Sequence, residues 1–154
     1  MNRLKFSEKI QKLDSMNITF ESSLLQDCIR GVYGVFNQNN ECLYVGRSSN
    51  IIQRFIGYNG HLKHFLWNHN EEPQQLVAKL ISEEVNNKGK VIICLLEKVD
   101  YVGDVYQLDM QRLASAENKW IDMYYQNENH KLKQLPEGRW ISEATWDKKY
   151  RRSI

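Results

Sequence analysis

Two tyrosines, two arginines and one glutamate in this chain have types and positions that suit shared chemistry. Tyr33 and Tyr44 each sit in a short apolar run that carries glycine, Gly31-Val32-Tyr33-Gly34-Val35-Phe36 and Cys42-Leu43-Tyr44-Val45-Gly46. Arg47 directly follows the second run, and Arg54 and Tyr58 come next, at a separation that places them on one helix face. Guanidiniums fork onto oxyanions, and phenols hydrogen-bond oxygen, so the group suits a substrate such as phosphate. Taken singly, each of these residues is equally at home in a surface salt bridge or in edge packing.

Glu117 is the residue that breaks a pattern. Met110, Leu113, Ala114, Trp120, Ile121 and Tyr124 advance by threes and fours, as one helix face does, and Glu117 fills the missing step. A buried carboxylate costs several kcal/mol unless it is paired, protonated or metal-bound. A structural ion pair with Arg54 or Arg47 is one solution. A metal-binding or acid/base carboxylate is the other. No second acid stands at useful spacing, so a paired-carboxylate hydrolysis is disfavoured. One Glu holding one divalent ion, with water and substrate oxygens in the remaining positions, fits.

The elements that must position these residues follow from local pattern. Residues 2–14 read as an amphipathic helix and 15–30 are ambiguous. The runs at 31–36 and 42–47 are β-branched and aromatic, and Asn37-Gln38-Asn39-Asn40 between them is turn-forming, so they predict a β-hairpin. A four-residue loop would pair Phe36 with Glu41 and set Tyr33 opposite Tyr44, and a slip of one residue would separate the two phenols. Ser48-Ser49-Asn50 supplies helix caps before Ile51-Ile52-Gln53-Arg54-Phe55, and Gly57 and Gly60 end that helix. A second short helix is expected over 61–67, and a third near Pro73 with Leu76, Val77, Leu80 and Ile81 as its apolar stripe. The continuous apolar run 91–97 predicts a central strand, 98–108 a loop, and 109–125 a long helix.

Composition narrows the class. The chain has 154 residues, which suits one domain over 1–154. Hydrophobic residues at 42% and aromatics at 11% are enough for a core, which argues against disorder. No stretch is apolar for the roughly 18–20 residues of a spanning helix, and the charged N-terminus lacks the apolar core of a secretory signal. Three widely spaced cysteines, Cys28, Cys42 and Cys94, without a C-x-x-C, argue for a cytoplasmic location and against a zinc ribbon. Cys42 and Cys94 lie in apolar runs and are expected to be buried. His61 and His64 could share a helix face but have no supporting metal ligands nearby. A net charge of +2 does not by itself imply nucleic acid, so the positions of the charges must decide. Lys148, Lys149, Arg151 and Arg152 cluster at the C-terminus beside Trp140, Trp146 and Tyr150. That cluster is either a phosphate-tracking surface or a solvated tail anchored by tryptophan.

Gly31-Val32-Tyr33 and, ten residues on, Tyr44-Val45-Gly46 resemble the signature of the GIY-YIG endonucleases, with Val for Ile in both triplets. Arg54 falls where that family has its catalytic Arg. Arg47 falls where many members carry Lys or Arg, and Tyr58 at a position that is Tyr or His. Glu117 lies in a late helix like the metal-binding Glu, and Asn129, with Asn127 as the alternative, matches the closing Asn. The resemblance spans about 31–129, and the long segment between Tyr58 and Val91 departs from small members. It implies an α+β fold with a three-stranded antiparallel sheet flanked by helices. It implies an endonuclease that hydrolyses DNA with one Mg²⁺ or Mn²⁺. Tyr33 would be the base or would orient the water, with Arg47 lowering its pKa. Arg54 would hold the scissile phosphate, Tyr44 and Tyr58 would hydrogen-bond phosphate or water, Glu117 would bind the metal, and Asn129 would brace the backbone. A restriction-like or mobile-element enzyme is expected rather than a repair subunit. Cutting both strands of a duplex would require a dimer, two visits or a separate partner. The competing readings are a non-catalytic nucleic-acid-binding module on the same fold, and an α+β interaction protein in which Tyr33 and Tyr44 do not converge on Arg54 and Glu117.

Overall fold

In the computed structural model, residues 4–67, 70–103, 105–127 and 131–135 are described. Asn129 and the cluster Lys148, Lys149, Arg151 and Arg152 lie outside them. The order of elements is α1 (Phe6–Ser15), β1 (Ile18–Phe20), α2 (Ser22–Gln26), β2 (Gly31–Asn37), β3 (Cys42–Ser48), α3 (Ile51–Ile56), α4 (Lys63–Leu66), α5 (Leu76–Asn86), β4 (Val91–Lys98) and α6 (Tyr106–Gln126). The architecture is α+β, and the sheet is flanked by helices. The sheet has four strands where three were expected, in the order β1-β4-β2-β3. The added strand β1 lies in the ambiguous stretch and pairs parallel with β4, which makes the sheet mixed. Three residues are too few to show an alternation, and Asn17, at φ 67, turns the chain into them.

The hairpin forms with a register different from the expected one. Val35 lies opposite Tyr44, Phe36 opposite Cys42, and Tyr33 opposite Gly46. Asn37 extends β2 by one residue, and its side-chain oxygen accepts from the Asn39 and Glu41 amides at 3.0 and 2.9 Å, so a tight turn forms. A bulge after Val35 then shifts the pairing by two residues at Tyr33. A shift of two preserves the face, so both phenols stay together and stack with ring centroids 6.3 Å apart.

Two cores sandwich the sheet. Tyr33, Val35, Leu43 and the apolar residues of α1, α3 and α5 form one, with Phe55 and Ile81 fully buried. Val32, Phe36, Cys42 and Val45 form the other with Leu113, Ala116 and Ile121 of α6. Cys42 is buried as expected, Cys94 is half-buried, and Cys28 is exposed. The end of α3 is sharp, because Asn50 caps its start by accepting from the Gln53 amide at 3.3 Å and Gly57 closes it. Helix α4 excludes His61, which lies in the turn before it, so His61 and His64 do not share a helix face. Helix α5 begins at Leu76, beyond Pro73.

Polar contacts set the phase of α6. Arg30 donates to the carbonyls of Val99 and, at 2.9 Å, of Asp109. Asp109 accepts from the Val102 amide at 3.1 Å, and Arg112 donates to the Asp100 carbonyl at 2.7 Å. Glu97 of β4 accepts from Trp120 Nε1 at 2.8 Å and pairs with Lys119. Asp109, Arg112 and Ser115 are therefore buried where an apolar stripe alone would not place them. The outer edge of β3 is closed by Gln134, whose amide accepts from Val45 N at 2.8 Å and donates to Val45 O at 2.7 Å.

Candidate active site

The site is built at the join of β2, β3 and α3. Tyr33 projects from the central strand into the core and is 2% exposed. Its ring meets Phe55 edge-on at 4.8 Å and stacks on Tyr44. Opposite it is Gly46, and the absent side chain is the reason the ring fits. A Cβ on Gly46 would lie 2.3 Å from both Cζ and Oη of Tyr33. Gly31 opens a second close approach, where a Cβ would lie 2.1 Å from the Glu97 carbonyl oxygen. The first glycine of one triplet and the last of the other thus serve packing. One lets β4 close on β2, and the other leaves room for the phenol.

Charge converges on the two phenols. Burial raises the pKa of Tyr33 well above the ordinary phenol range; the neighbouring Tyr44 adds to this, Arg54 opposes it, and Glu117 raises it further. Tyr44 is also raised, by burial and then Glu117, against the lowering charges of Arg54 and Arg47. The expectation that Arg47 lowers the Tyr33 pKa is corrected. Desolvation outweighs the nearby cations, and the cation that acts on Tyr33 is Arg54. Arg47 instead pairs with Glu117, Nη1 to Oε1 at 2.8 Å. Arg54 stands on the exposed face of α3, opposite the buried Ile51, Ile52, Phe55 and Ile56.

Glu117 is half-buried, with its side chain 16% exposed. The stripe that carries Glu117 does not face the tyrosine side of the sheet. Helix α6 packs on the Val32, Phe36 and Val45 side, opposite the core that holds Tyr33. Glu117 pairs with Arg47 of β3, and its charge acts on both tyrosines; the Arg30–Asp109 contact and Glu97 hold α6 in that rotation. Tyr58 is 63% exposed and stacks on Trp67, with centroids 5.7 Å apart and planes at 16°. Asn127 ends α6 and borders a cavity with Phe36, Asn40, Cys94, Leu96 and Tyr124, away from Tyr33.

Among the described residues, no group of three or more His, Cys, Asp or Glu could hold a metal ion. Glu117 offers a single carboxylate as hard oxygen donor, beside Arg47. That donor fits a Mg²⁺ or Mn²⁺ whose other ligands are water and phosphate oxygens, and does not fit an all-protein cage.

His61 is a member of this cluster that sequence reasoning did not find. It is 6% exposed, and its Nε2 lies 3.4 Å from the Tyr33 hydroxyl oxygen. Its Nδ1 meets Gln75 Oε1 at the start of α5. Burial, with the Arg54 charge, lowers its pKa to about 4 against the raising effect of the Gln75 bond. The sequence signal for it was Gly57 and Gly60. They let the chain double back so that the His61 amide donates to the Arg54 carbonyl at 2.9 Å.

A family model described as the GIY-YIG catalytic domain matches residues 29–132. No curated protein and no solved structure matches the chain.

Proposed function

Because this chain belongs to the GIY-YIG catalytic domain family and is thus a nuclease, a phosphodiester hydrolase acting on nucleic acid, we propose that it is a divalent-metal-dependent DNA endonuclease. The observation that carries this reading is the stacked pair Tyr33 and Tyr44, on both of which the charges of Arg54 and Glu117 act. An interaction protein has no need of that arrangement.

Hydrolysis needs an aligned water, neutralisation of the phosphorane charge and stabilisation of the leaving oxygen. Arg54, exposed at the rim, pairs with the scissile phosphate. Tyr33 is a neutral phenol at neutral pH, so its oxygen orients the attacking water and does not act as a standing phenolate. Tyr44 hydrogen-bonds the water or a phosphate oxygen. Glu117 would hold the metal, which when bound would supply Lewis-acid stabilisation of the leaving side. Arg47, paired with Glu117, holds that carboxylate at the sheet edge and adds a second guanidinium for phosphate. Tyr58, stacked on Trp67 at the rim, contacts substrate rather than the reacting atoms. Asn129, as a further site residue, and Lys148, Lys149, Arg151 and Arg152, as DNA-binding residues, belong to the proposal on the sequence alone, since they lie outside the described residues.

The single domain over 1–154, a cytoplasmic location and a restriction-like or mobile-element role complete the proposal. Among the described residues no helix is long and apolar enough to cross a membrane. The test is cleavage of supercoiled DNA with Mg²⁺ or Mn²⁺ by wild type, Glu117→Ala and Arg54→Ala. Cleavage by wild type that both substitutions abolish supports the assignment. Cleavage that survives both refutes the site, and metal-independent binding without cleavage would replace the enzyme by a binding module.

A further inference from the structure

We infer that His61 is a positioning residue for Tyr33: fixed by Gln75, it accepts a hydrogen bond from the Tyr33 hydroxyl, so that the phenol oxygen presents its lone pairs to the attacking water. The inference rests on the nuclease reading and assigns a residue and a segment that reading leaves without a role.

Donors and acceptors fix the His61 tautomer. A neutral imidazole has one N–H and one bare nitrogen, and its hydrogen-bond partner selects which is which. Gln75 Oε1 can only accept, so the nitrogen facing it, Nδ1, carries the proton. Nε2 is then a bare acceptor, 3.4 Å from the Tyr33 oxygen. A phenol in contact with a bare nitrogen donates to it. Its own oxygen lone pairs are then left for a second partner. Without His61 the hydroxyl would be free to rotate and to present its proton to the water, which reverses the orientation the reaction needs.

Three observations support the assignment. His61 is buried, and its ring packs edge-on against Phe55 at 5.2 Å, so it cannot swing away. Its depressed pKa keeps it in the neutral, accepting form at physiological pH. The segment between Tyr58 and β4 also gains a purpose, because Gln75 stands at the residue before α5 and α5 packs on the core around Tyr33. The segment thus supplies the group that sets the His61 tautomer.

The test has a spectroscopic and a kinetic arm. Long-range ¹H–¹⁵N spectra of histidine-labelled protein should show the Nδ1–H tautomer for His61, with an Nε2 resonance that moves in Tyr33→Phe. An Nε2–H tautomer, or no response to Tyr33→Phe, overturns the inference whatever the activity. In single-turnover DNA cleavage, His61→Ala should slow the chemical step by roughly 10²-fold, the usual cost of a misplaced catalytic group, with little change in DNA affinity. His61→Gln retains an acceptor of similar reach and should recover to within about 10-fold of wild type. Equal losses in His61→Ala and His61→Gln, both folded by thermal melting, would overturn the acceptor role. Wild-type protein that cleaves nothing would refute the nuclease reading and the positioning role with it. Failure of this inference alone is different: there wild type cleaves and His61→Ala cleaves equally fast.

Discussion

Gly46→Ala tests the steric reason for the second triplet's glycine. The new Cβ would sit 2.3 Å from Tyr33 Cζ and Oη. Ordinary contact needs about 3.4 Å, so the ring or the strand must give by about 1.1 Å. Neither moves freely, because Tyr33 is wedged between Tyr44 and Phe55 and Gly46 is hydrogen-bonded within the sheet. Overpacking of this kind costs about 1–3 kcal/mol. The alanine also restricts the unfolded chain, which returns about 0.4–1 kcal/mol. The net loss is therefore roughly 1–2 kcal/mol, or a melting point lower by about 2–8 °C at this chain length. On the proposed role of Tyr33 in orienting the water, activity should fall much further, by roughly 10²-fold, because a displacement of about 1 Å at such a group is amplified in the transition state. The assays are thermal unfolding and single-turnover cleavage. The double variant Tyr33→Ala/Gly46→Ala isolates the clash, since without the ring the alanine should cost nothing extra. A Gly46→Ala protein that melts and cleaves like wild type would refute the packing argument.

Other perturbations have equally definite outcomes. Arg54→Ala, on the exposed face of α3, should leave stability within about 0.5 kcal/mol and reduce cleavage by roughly 10²–10³-fold, as measured by parallel melts and initial rates. Glu117→Gln removes the charge that pairs with the 41% exposed Arg47, so stability should change by less than about 1 kcal/mol while metal-supported cleavage is lost in a Mg²⁺ titration. Gln134→Ala strips two hydrogen bonds from the β3 edge and should cost about 1–3 kcal/mol in denaturant unfolding without a specific effect on the chemical step. The His61 pKa is depressed from 6.5 to about 4 in the folded state, so the unfolded chain binds the extra proton first. Stability is then full above pH 6.5 and declines as pH falls toward 4, by about 3 kcal/mol at most from this group. His61→Gln should show a flatter unfolding profile over that window, and parallel profiles would contradict the linkage.

Much of the fold was legible locally. The hairpin, β4, α3 and α6 announce themselves through alternation, caps and helical period, since those signals act between near neighbours in the chain. The residues of the candidate site, Tyr33, Tyr44, Arg54 and Glu117, stand out in the sequence through type and spacing. The three-residue β1 was not, because its pairing with β4 is non-local. The hairpin register escaped for a related reason: whether Asn37 ends the strand or continues it depends on side-chain bonds within the turn, and the bulge depends on packing across the sheet.

Residue types and local spacing in the chain settled which groups are available: two phenols beside glycines, two guanidiniums, and a carboxylate at helical phase. Tertiary structure alone decided how those groups act on one another. Burial is collective, and it raised Tyr33 where a neighbouring arginine had suggested the reverse. The rotation of α6, held by Arg30, Asp109 and Glu97, brought Glu117 to Arg47 at the sheet edge. Long-range folding of the 58–91 segment carried Gln75 to His61, and His61 to Tyr33. A hydrogen bond between residues 28 positions apart has no local signature, because its geometry exists only after the core has closed around it.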